Sequence, residues 1–126
     1  MKRSTERMLT THTGSLARPP GPDPRDAAAH EHERKVWETA GLPDGKVLIP
    51  GVISHSTNVV EHPDLMAQRM VRYANIVGRE NVIGGRDCGF SSFARTEPEI
   101  HPTVVWAKFQ SMAEGARLAS QESWGT

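Results

Sequence analysis

Residues 46–87, "KVLIPGVISHSTNVVEHPDLMAQRMVRYANIVGRENVIGGRD", hold an apolar run, a helical stripe and a second apolar run in that order. Lys46–Ile53 reads as a strand, with a bulge or break expected near its middle because Pro50 has no N–H to give a ladder and Gly51 follows it. Pro63 suits the first position of a helix entered from His62. Met66, Met70, Tyr73, Ala74 and Val77 recur at helical spacing, and Gly78 offers the stop. Asn81–Asp87 is then a second strand. A strand, a crossover helix and a strand at this spacing form the unit that joins parallel strands.

Working outward, Met8–His12 is a further short strand candidate, rich in threonine and ending in the turn-prone "TGS". Five glycine or proline residues in "ARPPGPDPRD", residues 17–26, rule out regular structure and mark a junction. Ala27–Ala40 reads as a helix with Asp26 as cap and Gly41 as stop, its face shared by Ala29, Glu33, Val36, Trp37 and Ala40. Downstream, His101-Pro102 repeats the His62-Pro63 start. The helix that follows carries Val105, Phe109, Met112, Ala113 and Ala116 on one side. The expectation is an α/β protein with about three parallel strands and crossover helices, forming a single domain over residues 1–126.

The length suits one modest domain with a limited core. Fifteen basic residues balance fifteen acidic ones, so no global field draws the chain to nucleic acid or to an anionic membrane. The single cysteine excludes an internal disulfide and suits a reducing, cytoplasmic setting. No apolar run approaches the roughly 20 residues of a membrane span. The basic start "MKRSTERM" is not followed by the apolar core of a secretory signal, and a soluble, unprocessed chain is expected.

In parallel sheets the active groups collect beyond the carboxyl ends of the strands, where the loops face a shared crevice. Three segments leave those ends: "THTGS" (11–15), "ISHSTN" (53–58) and "RDCGF" (86–90). They would bring the only thiol, Cys88, to one rim with His12, His55 and several hydroxyls. Each has a plainer alternative. A lone cysteine also serves as a small buried residue, and His12 can bond a backbone group in its turn. "HEHE" at 30–33 reads as a solvated face, since residues two apart on a helix do not face one ion together. His62 and His101 read as helix starts, and Met66, Met70 and Met112 as core.

These residues carry a family resemblance. "LTTHTGSLARP" (9–19) is similar to the opening strand of the catalytic barrel of cobalamin-independent methionine synthases. Residues 30–90, from "HEHERKVW" to "DCGF", resemble the final strand-helix units of that barrel, and "VVWAKFQSMAEGARLAS" (104–120) its terminal helix. The resemblance implies a partial, TIM-barrel-like (β/α)8 fold that joins the first strand to the last two units. It further implies the family chemistry, in which a zinc ion binds a substrate thiol such as homocysteine as the thiolate. That nucleophile then takes a methyl group from a methylated folate.

By the same resemblance Cys88 corresponds to a zinc ligand at the end of the last strand, with His12 as a further candidate donor on the same rim. Thr13, Gly14 and Ser15 correspond to the turn that holds the amino-acid part of the substrate, and His55 to a proton donor. Two departures stand against a working site. The chain has no His-x-Cys pair, and Pro24 falls where a ligating glutamate belongs. A full barrel needs roughly 200 to 250 residues, so the chain reads as an internally deleted relative whose methyl transfer is impaired or lost. The alternatives are a non-enzymatic, self-associating module, or another thiol alkyl transfer or a decarboxylation on a related barrel.

Overall fold

The computed structural model describes residues 5–10, 32–55, 57–86, 90 and 100–125. In chain order its elements are β1 (Leu9–Thr10), α1 (Arg34–Ala40), β2 (Gly51–Ile53), α2 (Pro63–Val77), a 3-10 turn at Arg79–Asn81, β3 (Ile83–Arg86) and α3 (Pro102–Trp124). The three strands form one open parallel sheet in the order β1-β3-β2. The expected α/β class is therefore observed, and so, among the described residues, are the three parallel strands. The proposed 17–26 junction lies outside the described residues. No described helix is long and apolar enough to cross a membrane.

β3 is central. Leu9 and Thr10 pair with Ile83 and Gly84 on one side, while Gly51 and Ile53 pair with Gly85 and Arg86 on the other. The β2 side begins earlier, at a bridge between Leu48 and Val82. Leu48 donates to Asn81 O at 2.7 Å, Ile83 donates to Leu48 O, and Gly85 donates to Pro50 O, both at 3.0 Å. Pro50 thus keeps its acceptor role in a ladder that its missing N–H interrupts. The expected irregularity falls between Gly51 and Ile53, where the register shifts. A shifted ladder leaves a carbonyl to be satisfied from elsewhere. Buried Arg69 of α2 donates from Nη1 to Val52 O at 2.8 Å.

The helix layer follows the sequence signals with two changes. His62 and His101 both cap their helices, their Nδ1 atoms accepting from Asp64 N at 3.3 Å and Thr103 N at 3.2 Å. Gly78, at φ 91°, ends α2 and returns its N–H to Ala74 O at 2.9 Å. Met66, Met70, Tyr73 and Ala74 are buried as their spacing predicts, and Val77 packs against the same core. The first change is in α1, whose described part runs Arg34–Ala40 and stops at Gly41 as expected, residues 27–31 and the Asp26 cap lying outside the described residues. Its Val36 is exposed, and only Trp37 of that helix reaches the core. The second is in α3, where Ala113 is exposed and the buried face turns toward Lys108, Ser111, Gly115 and Ala119.

Gly115 explains that turn. A methyl group there would lie 2.7 Å from Met66 Cβ and 2.8 Å from Pro63 O. Only the absent side chain lets α3 approach α2 this closely, and these two helices make the most extensive contact between elements. Met66, Met70, Met112 and Ala119 fill the seam behind it, with Met66, Met70 and Ala119 completely buried. β1 is tied to the same helix. Met8 N–H donates to Ser120 Oγ at 2.7 Å, and Ser120 Oγ–H donates in turn to Ala116 O at 2.7 Å.

Candidate functional site

Because all three strands run the same way, the chain leaves Thr10, Ile53 and Arg86 on one side of the sheet. Of the six site residues expected from sequence, His55 alone is described. Cys88, His12, Thr13, Gly14 and Ser15 lie outside the described residues. His55 is 2% exposed and follows Ser54, also buried, at the carboxyl end of β2. A sheltered imidazole beside strand-end polar groups is a group chemically able to give or take a proton.

The loop that carries His55 is organised by one carboxylate. Glu61 Oε1 accepts the Ser54 N–H at 2.7 Å, and Glu61 Oε2 accepts from Lys108 Nζ at 2.9 Å. Lys108 also donates to Val59 O, and Ser111 Oγ donates to the carbonyl of Glu61. Thr57 Oγ1 donates to Ser54 Oγ at 3.4 Å. Lys108 is 0% exposed, and the Glu61 side chain 10%. The pair joins the β2 loop to the second turn of α3, and so joins two neighbouring strand-helix units at their rims.

A second group lies beyond β3. The Arg86 guanidinium sits 4.3 Å from the Phe90 ring centroid and 5.6 Å from that of Phe109. Phe90 and Phe109 meet edge to face, with centroids 5.5 Å apart and planes at 89°. Trp106 extends the cluster outward, its ring 5.9 Å from Phe109 and its side chain largely exposed. An arginine over aromatic faces is an attractive and orienting contact. Elsewhere, a groove of about 460 Å³ separates β1 from α3, with Arg7 and Arg117 at its walls. Arg117 is engaged by Glu114 through bonds of 2.9 and 2.6 Å. The guanidinium holds the Glu114 carboxyl below its ordinary range, and Glu114 raises Arg117 in turn.

Among the described residues no three His, Cys, Asp or Glu side chains converge as a group able to hold a metal ion. Sequence reading missed Lys108, Glu61 and the Arg86 cluster. One signal was present for Lys108. In "VVWAKF" a lysine stands four residues after Val104 and four before Met112, on the apolar stripe where a charge needs a partner. Comparison with protein-family models, with curated proteins and with solved structures finds no match.

Proposed function

We propose that this chain is a shortened relative of the cobalamin-independent methionine synthase barrel, in which zinc-dependent methyl transfer from a methylated folate to a thiol is impaired or lost. The observation that carries this reading is the strand order. In a closed barrel the first strand lies beside the last, and the last beside the one before it. The order β1-β3-β2, all parallel, has those neighbours. Consecutive strands of an ordinary α/β sheet are more often adjacent, whereas here β3 separates β1 from β2. Burial of His55 at the end of β2 supports its role as the proton donor of the ancestral reaction. The balanced charge and single cysteine support a cytoplasmic protein that acts on neither nucleic acid nor membrane, and the small thiol and folate as partners rest on the family resemblance.

Zinc supplies a stabilised thiolate in that family. The described residues do not gather a ligand set for it, so no step is assigned to the metal. Cys88 and His12 remain its proposed donors, and two donors with water bind far more weakly than the four of a structural site. After dialysis against a mild chelator, metal analysis should find clearly less than one zinc per chain, and methyl transfer to homocysteine should be absent. One tightly held zinc per chain, lost in Cys88→Ser, would overturn the impaired reading and restore the enzyme.

A second reading, a self-associating module without catalysis, is favoured by the exposed Trp106, Val59 and Val60 on so small a protein. It predicts concentration-dependent dimers or larger species in sedimentation, with or without zinc. A monodisperse monomer at micromolar concentration would remove it.

A further inference from the structure

Lys108 heads the largest fully buried side chains of the described residues. An ammonium withdrawn from water is costly unless a counter-charge and acceptors meet it. Here Glu61 and Val59 O meet it, and both belong to the loop that leaves β2. Glu61 spends its other oxygen on Ser54 N–H at 2.7 Å, so one carboxylate closes residues 54–61 into a ring and fastens the ring to α3. Apolar burial does not fasten this loop. Val59 and Val60, the aliphatic side chains in it, are 64% and 42% exposed. The anchoring to α3 is therefore polar, made by the Lys108–Glu61 ion pair together with the bonds from Lys108 to Val59 O and from Ser111 Oγ to Glu61 O, and His55 lies in the same loop, beside Ser54.

We infer that Lys108, acting through Glu61, is a positioning residue for His55. It holds the β2 rim loop so that the imidazole stays sheltered at one place above the strand end. The reading of His55 as an inherited proton donor underlies the functional meaning of this role, but the placement itself does not depend on zinc or methyl transfer. A lysine that only filled volume would be replaceable by a methionine without effect on the loop. One that positions the loop is not replaceable, because no apolar side chain can hold both the carboxylate and the Val59 carbonyl.

The test uses the full chain and the neutral double variant Glu61→Gln/Lys108→Met, which keeps side-chain volume and an acceptor for Ser54 N–H while removing the ion pair. Diethyl pyrocarbonate modification, mapped by mass, reports each histidine, with exposed His62 and His101 as internal references. In the double variant His55 should react about tenfold faster or more, the mark of local opening in an otherwise folded protein. Its imidazole ¹⁵N signals should shift, while α2 amides keep their exchange protection. Unchanged His55 reactivity in the folded variant would overturn the proposal. So would a gain shared equally by the α2 amides, which would mean general loosening.

Should the variant not fold, hydrogen exchange on the unaltered chain decides. Ser54 N–H should exchange with the slow amides of α2, and exchange as fast as that of Val60 would refute the clamp. Zinc content and methyl transfer enter none of these readouts. The ancestral reading can therefore fail while the positioning role stands, and the reverse.

Discussion

Lys108→Met is expected to destabilise the protein by about 3–5 kcal/mol, the cost of leaving one partner of a buried ion pair without its counter-charge. A small domain has only about 5–15 kcal/mol of stability in all, so the variant should sit close to unfolding at 25 °C. The size follows from the geometry. Glu61 is 10% exposed, its Oε1 is committed to Ser54 N–H, and the removed ammonium is the charge on its other oxygen. The lysine stem is a smaller part of the effect, because methionine replaces most of its volume. Urea denaturation checks this, and the double variant with Glu61→Gln should regain much of the loss because neither charge is then stranded. Added salt should rescue the single variant little, since screening acts poorly on buried charge. A single-variant loss below about 1 kcal/mol, the range of exposed pairs, would mean that water reaches the pair.

What could be read from sequence were the features whose causes are local. A histidine before a proline, a methionine stripe and a closing glycine act within one helix, and His62, Met66, Met70 and Gly78 do what their spacing implied. The Pro50-Gly51 break was equally legible, because a missing N–H interrupts a ladder wherever the strand lies. The position of the register shift was not, since it depends on β3 and on Arg69, which supplies the donor for Val52 O. Helix α1 misled in another way. Its pattern mixed apolar and polar residues, and tertiary packing chose Trp37 while leaving Val36 in solvent.

The candidate site was legible only where a strand end alone specifies it. His55 was expected at the rim because β2 ends there, and that placement needs no knowledge of its neighbours. Its supporting shell comes from α3, which precedes no part of the loop in sequence. Glu61 and Lys108 are 47 residues apart, and nothing in either neighbourhood names the other. Arg86, Phe90 and Phe109 are similar, since their contact depends on the path of α3 across the carboxyl end of β3. The buried face of α3 was read only in part for a related reason, since Met112 and Ala116 are buried as expected while Ala113 is exposed. A helix whose apolar residues cover more than half its circumference can present either flank, and the choice fell to Gly115.

Gly115→Ala is therefore expected to destabilise the protein by about 2 kcal/mol net, although alanine is the better helix former by about 1 kcal/mol. The added methyl would lie 2.7 Å from Met66 Cβ, 2.8 Å from Pro63 O and 3.3 Å from Ala67 N. These are backbone and Cβ atoms, which no rotamer change can move aside. The helices must separate, and the seam of Met66, Met70 and Met112 loses dispersion contact along its length. Gly84→Ala provides the contrast. Its methyl would meet Met70 Cε at 2.6 Å and Sδ at 3.1 Å, the far end of an unbranched and adaptable side chain. A cost of about 1 kcal/mol or less is expected there. Urea midpoints for the two variants, measured side by side, test the ranking. If Gly84→Ala proved the more damaging, the close approach of α2 and α3 would not be what sets the helix layer in place. The constraint would then lie in the packing of Met70 against the sheet.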